Sequence, residues 1–160
     1  MDIENEEFLL FLKCAQQNQL RYLCVGGYAV NYHGYHRFTE DLDIWIAPTN
    51  ENKQSFLNTL RCMHYTESEI SLIQEEDFTT YFKCTLGSMP YVIDVLTIMH
   101  SNINFDEAEK EIIIHKMHND IELKMVPYHT LIDLKLKSQR PKDFYDVAQL
   151  DKLRNPKNTK

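Results

Sequence analysis

Val25-Gly26-Gly27-Tyr28-Ala29-Val30, then Arg37-Phe38-Thr39, then Asp41-Leu42-Asp43-Ile44-Trp45 is the stretch whose reading decides the fold. Asp41 and Asp43 stand one apolar residue apart in a run that turns apolar and β-prone. Side chains alternate along a strand, so both acids project from one face as a metal-binding pair. Ahead of them, Gly26-Gly27 lies between an apolar strand at 22–25 and a helix-compatible segment at 28–33. There bare backbone can approach a phosphate and a helix N-terminus favours its charge. Strand, glycines, helix and acid-bearing strand together imply a metal-bound polyphosphate between the two motifs.

Downstream, Tyr91-Val92-Ile93-Asp94-Val95-Leu96 reads as a strand returning from Tyr81-Phe82-Lys83-Cys84-Thr85-Leu86 through a turn at 87–90. An acid within a run this apolar is costly unless something pairs with it, and a metal shared with Asp41 and Asp43 would be such a partner. Taken alone, Asp41 and Asp43 read equally well as solvated acids on an exposed strand edge. The glycines and Asp94 favour the metal reading.

Gly26-Gly27 followed by Asp41-Leu42-Asp43-Ile44 resembles the signature of the polymerase-beta-type nucleotidyltransferase superfamily. Leu131-Ile132-Asp133-Leu134-Lys135, with Arg140-Pro141-Lys142-Asp143 and Asp146, is similar to the tail of small bacterial members, including those related to abortive-infection toxins. The resemblance covers most of the chain. It implies an α+β nucleotidyltransferase fold, a small mixed sheet flanked by helices with further helices at the C-terminus. It also implies two Mg²⁺ ions on Asp41, Asp43 and Asp94, and an NTP whose nucleoside monophosphate passes to a hydroxyl of a tRNA, a protein or a small molecule. The triphosphate would lie on the backbone of Gly26 and Gly27, with Arg37, Lys135, Arg140 and Lys142 supplying positive charge. Arg140, Lys142 and Asp143 could instead lock two helices together, and Asp146 reads as structural. An antitoxin or other partner protein is a further implication of the toxin-type relatives. The alternative is an inactive nucleotide-binding sensor or partner subunit. Gly27 stands where the family often has serine, which removes one hydroxyl contact to phosphate.

With 160 residues, 43% of them apolar, the chain suffices for one ordinary core, so a single domain over 1–154 and a disordered tail over 155–160 are expected. That leaves no room for a large acceptor-recognition domain. No apolar run is long enough to cross a bilayer, and the cluster at 8–12 follows acids, unlike a secretory signal, so a cytoplasmic chain away from membranes is expected. Cys14, Cys24, Cys62 and Cys84 are scattered in apolar surroundings, which argues against a disulfide framework or a zinc ribbon. His33/His36 and His115/His118 have zinc-like spacing. The first pair lacks further ligands, and the second falls in an expected strand, where a three-residue step sends the rings to opposite faces.

The formal charge of −7 argues against broad nucleic-acid binding. From Lys135 onward, however, eight Lys or Arg face three Asp, a net of +5 that leaves −12 elsewhere. A basic end beside an acidic site could receive a polyphosphate or an RNA end; a solvated helix face with a frayed tail accounts for it equally well. Helices are expected at 3–17, 28–33, 53–62 and 104–109, and strands at 111–115 and 121–126 about a turn at Asn119-Asp120. Two final helices follow, the last over 142–153 with Phe144, Val147, Ala148 and Leu150 inward. Residues 65–80 read as helix or loop.

Overall fold

The computed structural model describes residues 5–99 and 103–155. Among them, six strands form one mixed sheet in the order β3-β4-β2-β1-β6-β5, with helices packed around it. The strands are β1 (Tyr22–Cys24), β2 (Asp41–Ile46), β3 (Lys83–Ser88), β4 (Tyr91–Leu96), β5 (Ile113–Lys116) and β6 (Glu122–Met125). β1 runs antiparallel to β2 and parallel to β6, and β2 runs parallel to β4. The hairpins β3-β4 and β5-β6 complete the two sides.

β2 lies between β1 and β4, which excludes the reading of its acids as an exposed strand edge. Leu42, Ile44 and Ile46 are fully buried on one face. On the other face Asp41 and Asp43 stay half-buried, and further along Trp45 is buried edge-on against Phe105, its indole N–H donating to the Thr97 carbonyl at 2.9 Å. The acids therefore occupy the N-terminal end of the strand, where that face is open.

α1 (Glu6–Gln17) buries Phe8, Phe11, Leu12 and Ala15 at helical spacing. α2 (Gly26–Tyr32) begins at the first glycine, two residues earlier than the sequence pattern suggests. α3 (Asn50–Cys62) is capped by Thr49, whose hydroxyl accepts from the Asn52 N–H. Asn52 is itself buried and clamps the start of β1 to the end of β2, its side chain bonding the Arg21 main chain and the Ala47 carbonyl. The weakly patterned acidic stretch resolves into α4 (Glu67–Gln74), opened by a capping box between Thr66 and Glu69. α5 (Phe105–Glu109) follows Asn104, which caps it.

The β3-β4 turn is tighter than expected, since β3 continues to Ser88 and only Met89-Pro90 lie between the strands. Between β5 and β6 a short 3₁₀ turn (His118–Asp120) carries His118 past the end of β5, and neither histidine pair joins a metal-capable group among the described residues. α6 (Tyr128–Ser138) and α7 (Pro141–Arg154) close the molecule.

Three expectations need correction. The inward face of α7 is Asp143, Asp146 and Leu150, while Phe144 and Ala148 are exposed. Its buried acids find cationic partners, so apolarity misjudges this helix. Asn155 is the C-cap of α7, its side-chain amide donating to Asp151, and only 156–160 of the expected tail lie outside the described residues. Cys14 and Cys62 form a disulfide, because the packing of α1 on α3 brings their Cα atoms to 5.7 Å. Among the described residues, no helix is long and apolar enough to cross a membrane.

Candidate active site

The parallel pairing of β2 with β4 sets Asp43 directly beside Asp94, with Asp41 two residues back on the same face. Carboxylate oxygens of Asp41, Asp43 and Asp94 all lie within 4.8 Å of one another. Adjacent parallel strands in register are what turn two distant segments into one three-acid group. The group borders a cleft of about 320 Å³ whose walls include Gly26, Lys83, Leu131, Lys135, Arg140 and Asp143.

Gly26 is built around Asp43. Its φ of +62° is a left-handed conformation, and a Cβ there would lie 1.7 Å from Asp43 Oδ2. Gly27 is buried, and a Cβ on it would meet Thr39 Oγ1 at 2.1 Å. The Gly27 N–H favours the ionised form of Asp43, and of the two glycines only Gly26 borders the cleft. Thr39 in turn donates to Asp41 Oδ1 at 3.2 Å.

Burial pushes the Asp43 carboxyl up to about 6, and the charges of Asp41 and Asp94 push the same way; the Gly27 N–H and Lys135 oppose them. Asp94 is different. Burial would raise it, but Lys83 Nζ at 2.7 Å from Oδ2 and the Thr85 hydroxyl at 2.6 Å from Oδ1 hold it below the usual range. Lys83 and Thr85 carry no sequence motif; only the period-2 step between them and the antiparallel register of β3 on β4, which sets Thr85 opposite Asp94, could have pointed to them.

Lys135 and Arg140 line the cleft from the α6-α7 side. Lys135 Nζ lies 2.6 Å from Asp143 Oδ1 and 2.8 Å from Asp146 Oδ2, all three side chains being nearly or fully buried. Ser138 and Arg140 also donate to Asp143, and these bonds bring its carboxyl down to about 2 against the upward push of burial. Arg37 grips Asp146 through Nε at 2.7 Å and Nη2 at 2.9 Å, so this buried acid joins Arg37 to Lys135. Arg37 stands outside the cleft lining with its guanidinium engaged by Asp146. Lys142 is exposed and likewise outside the lining, because the helical step from Asp143 turns it to solvent. Lys135 and Arg140 do line the cleft. Cys24 is buried beside the glycines, with burial holding its thiol well above the ordinary value, as suits a core residue.

The donor set is hard oxygen from three carboxylates, which fits Mg²⁺, and the missing side chain at Gly26 leaves the Asp43 carboxylate the space it occupies beside the other two. No protein-family model matches the chain, and no curated protein matches it either.

Proposed function

We propose that the protein is a nucleotidyltransferase that moves a nucleoside monophosphate from an NTP to a hydroxyl acceptor, with Asp41, Asp43 and Asp94 holding two Mg²⁺ ions. The observation that carries this reading is the convergence of three carboxylates from two parallel strands beside a cleft that Lys83, Lys135 and Arg140 also line. Bound there, the ions would activate the acceptor oxygen and neutralise the leaving pyrophosphate.

The protein's own groups do the rest. Gly26 presents bare backbone where a phosphate can come close. Lys135, fixed by two buried acids, offers a charge whose position is set before substrate arrives, and Arg140 offers a half-free one. Asp94, ionised and steadied by Thr85, would orient the acceptor hydroxyl, and one of its carboxylate oxygens would take the proton. The acceptor is a tRNA, a protein or a small molecule, and a cytoplasmic site of action belongs to the same reading. The second reading, a nucleotide-binding sensor, is favoured by one observation: Lys83 already neutralises Asp94.

Incubation with each α-labelled NTP, Mg²⁺ and total RNA separates the two. Label transfer to RNA or to the protein itself, falling about 10³-fold in Asp43→Ala, supports catalysis. NTP binding with no transfer to any acceptor supports the sensor.

A further inference from the structure

Lys83 begins β3 at the free side of the sheet and reaches across to β4, where its Nζ lies 2.7 Å from Asp94 Oδ2. Thr85, the register partner of Asp94 and two residues further along the same face, donates to the other carboxylate oxygen at 2.6 Å. One donor on Asp94 is thus a neutral hydroxyl and the other a cation.

The cleft's cations differ in how firmly they are held. Lys135 is 5% exposed and tied to Asp143 and Asp146, neither of which belongs to the three-acid group. Lys83 is 46% exposed, and Asp94 is its one ion-pair partner among the described residues. A half-exposed lysine pair is a weak tie, and the ammonium sits on a flexible four-carbon stem.

We propose that Lys83 is an internal counter-ion of the three-acid group: a divalent cation displaces its ammonium from Asp94, and the freed ammonium binds the non-bridging phosphate oxygens of the incoming polyphosphate. With Lys83 in place the three carboxylates carry a net −2, which suits exchange for a divalent ion. Once cations fill the group, Asp94 no longer attracts the ammonium, and the nearest anion able to engage it is the substrate. Thr85 stays bonded throughout and keeps the carboxylate oriented. This rests on the metal-dependent reading above.

The test is calorimetric titration of Mn²⁺ into wild type, Lys83→Met and Lys83→Arg, followed by titration of inorganic tripolyphosphate, a base-free probe, into each Mn²⁺-loaded protein. Lys83→Met should bind Mn²⁺ about tenfold more tightly and tripolyphosphate about tenfold more weakly, with Lys83→Arg close to wild type in both. Unchanged or weaker Mn²⁺ binding in Lys83→Met overturns the counter-ion role while leaving the metal centre standing. Tighter Mn²⁺ with unaltered tripolyphosphate affinity overturns the phosphate role. No saturable Mn²⁺ binding by wild type removes this inference and the metal-dependent reading together.

Discussion

Gly26 carries two demands at once, a left-handed φ and no space for a side chain against Asp43. Gly26→Ala should therefore cost about 1–2 kcal/mol for backbone strain, read by urea unfolding, and should abolish Mn²⁺ binding by displacing the carboxylate. Asp43 also gives the metal-free protein a pH signature. Its folded value near 6 lies above the ordinary 3.8, so the folded state holds that proton more tightly than the unfolded one. The contribution is fully present below about pH 4 and lost as pH rises through about 6. In EDTA, Asp43→Asn should therefore be more stable than wild type at pH 7.5 by about 1–3 kcal/mol, with the difference vanishing near pH 4. Equal stability at both pH values would show that neither burial nor the neighbouring acids penalise the charged Asp43. At this scale the sequence was legible for the residues that carry a motif, Gly26, Asp41 and Asp43. It was silent on Lys83 and Thr85, whose role arises only from cross-strand neighbours.

Two elements, α6 and α7, meet through charge. Lys135, Asp143, Asp146, Arg37, Ser138 and Arg140 form one connected set in which two acids and a lysine are buried. Removing one member of a buried pair leaves an uncompensated charge, so Asp143→Ala should lower stability by about 3–5 kcal/mol in urea unfolding. Lys142→Ala, on the solvent side of the same turn, should change it by less than about 0.5 kcal/mol and leave tripolyphosphate affinity unaltered. The Asp143 carboxyl sits near 2, below its unfolded value, so the stability it contributes is present above about pH 4 and lost as pH falls toward 2. Helix positions were readable from periodicity in α1 and α3, where apolar residues mark the inward face. In α7 the inward residues are acids, and no hydrophobic pattern could expose them. The capping box of Thr66 and Glu69 sets the start of α4, and it went unread where periodicity is weak.

For the molecule as a whole, the sheet brings the glycine turn, the acid strand and the 91–96 strand to one end, and the α6-α7 side supplies Lys135 and Arg140. The α+β class and the mixed sheet follow from the order of elements. The strand order does not, since it depends on β1 joining the two halves. On the α1-α3 side lies the Cys14–Cys62 disulfide, spanning 48 residues. Such bonds are uncommon in the cytoplasm, which sets this one against the cytoplasmic expectation. Cys14→Ser/Cys62→Ser should lower unfolding free energy by about 2–4 kcal/mol while leaving Mn²⁺ affinity unaltered, the acids lying on separate strands. The most direct test of the proposed metal centre is anomalous diffraction from crystals grown with Mn²⁺ and a non-hydrolysable ATP analogue. Two Mn²⁺ peaks held by Asp41, Asp43 and Asp94 are expected; no peak at these carboxylates, or Mn²⁺ bound elsewhere, would contradict the proposal.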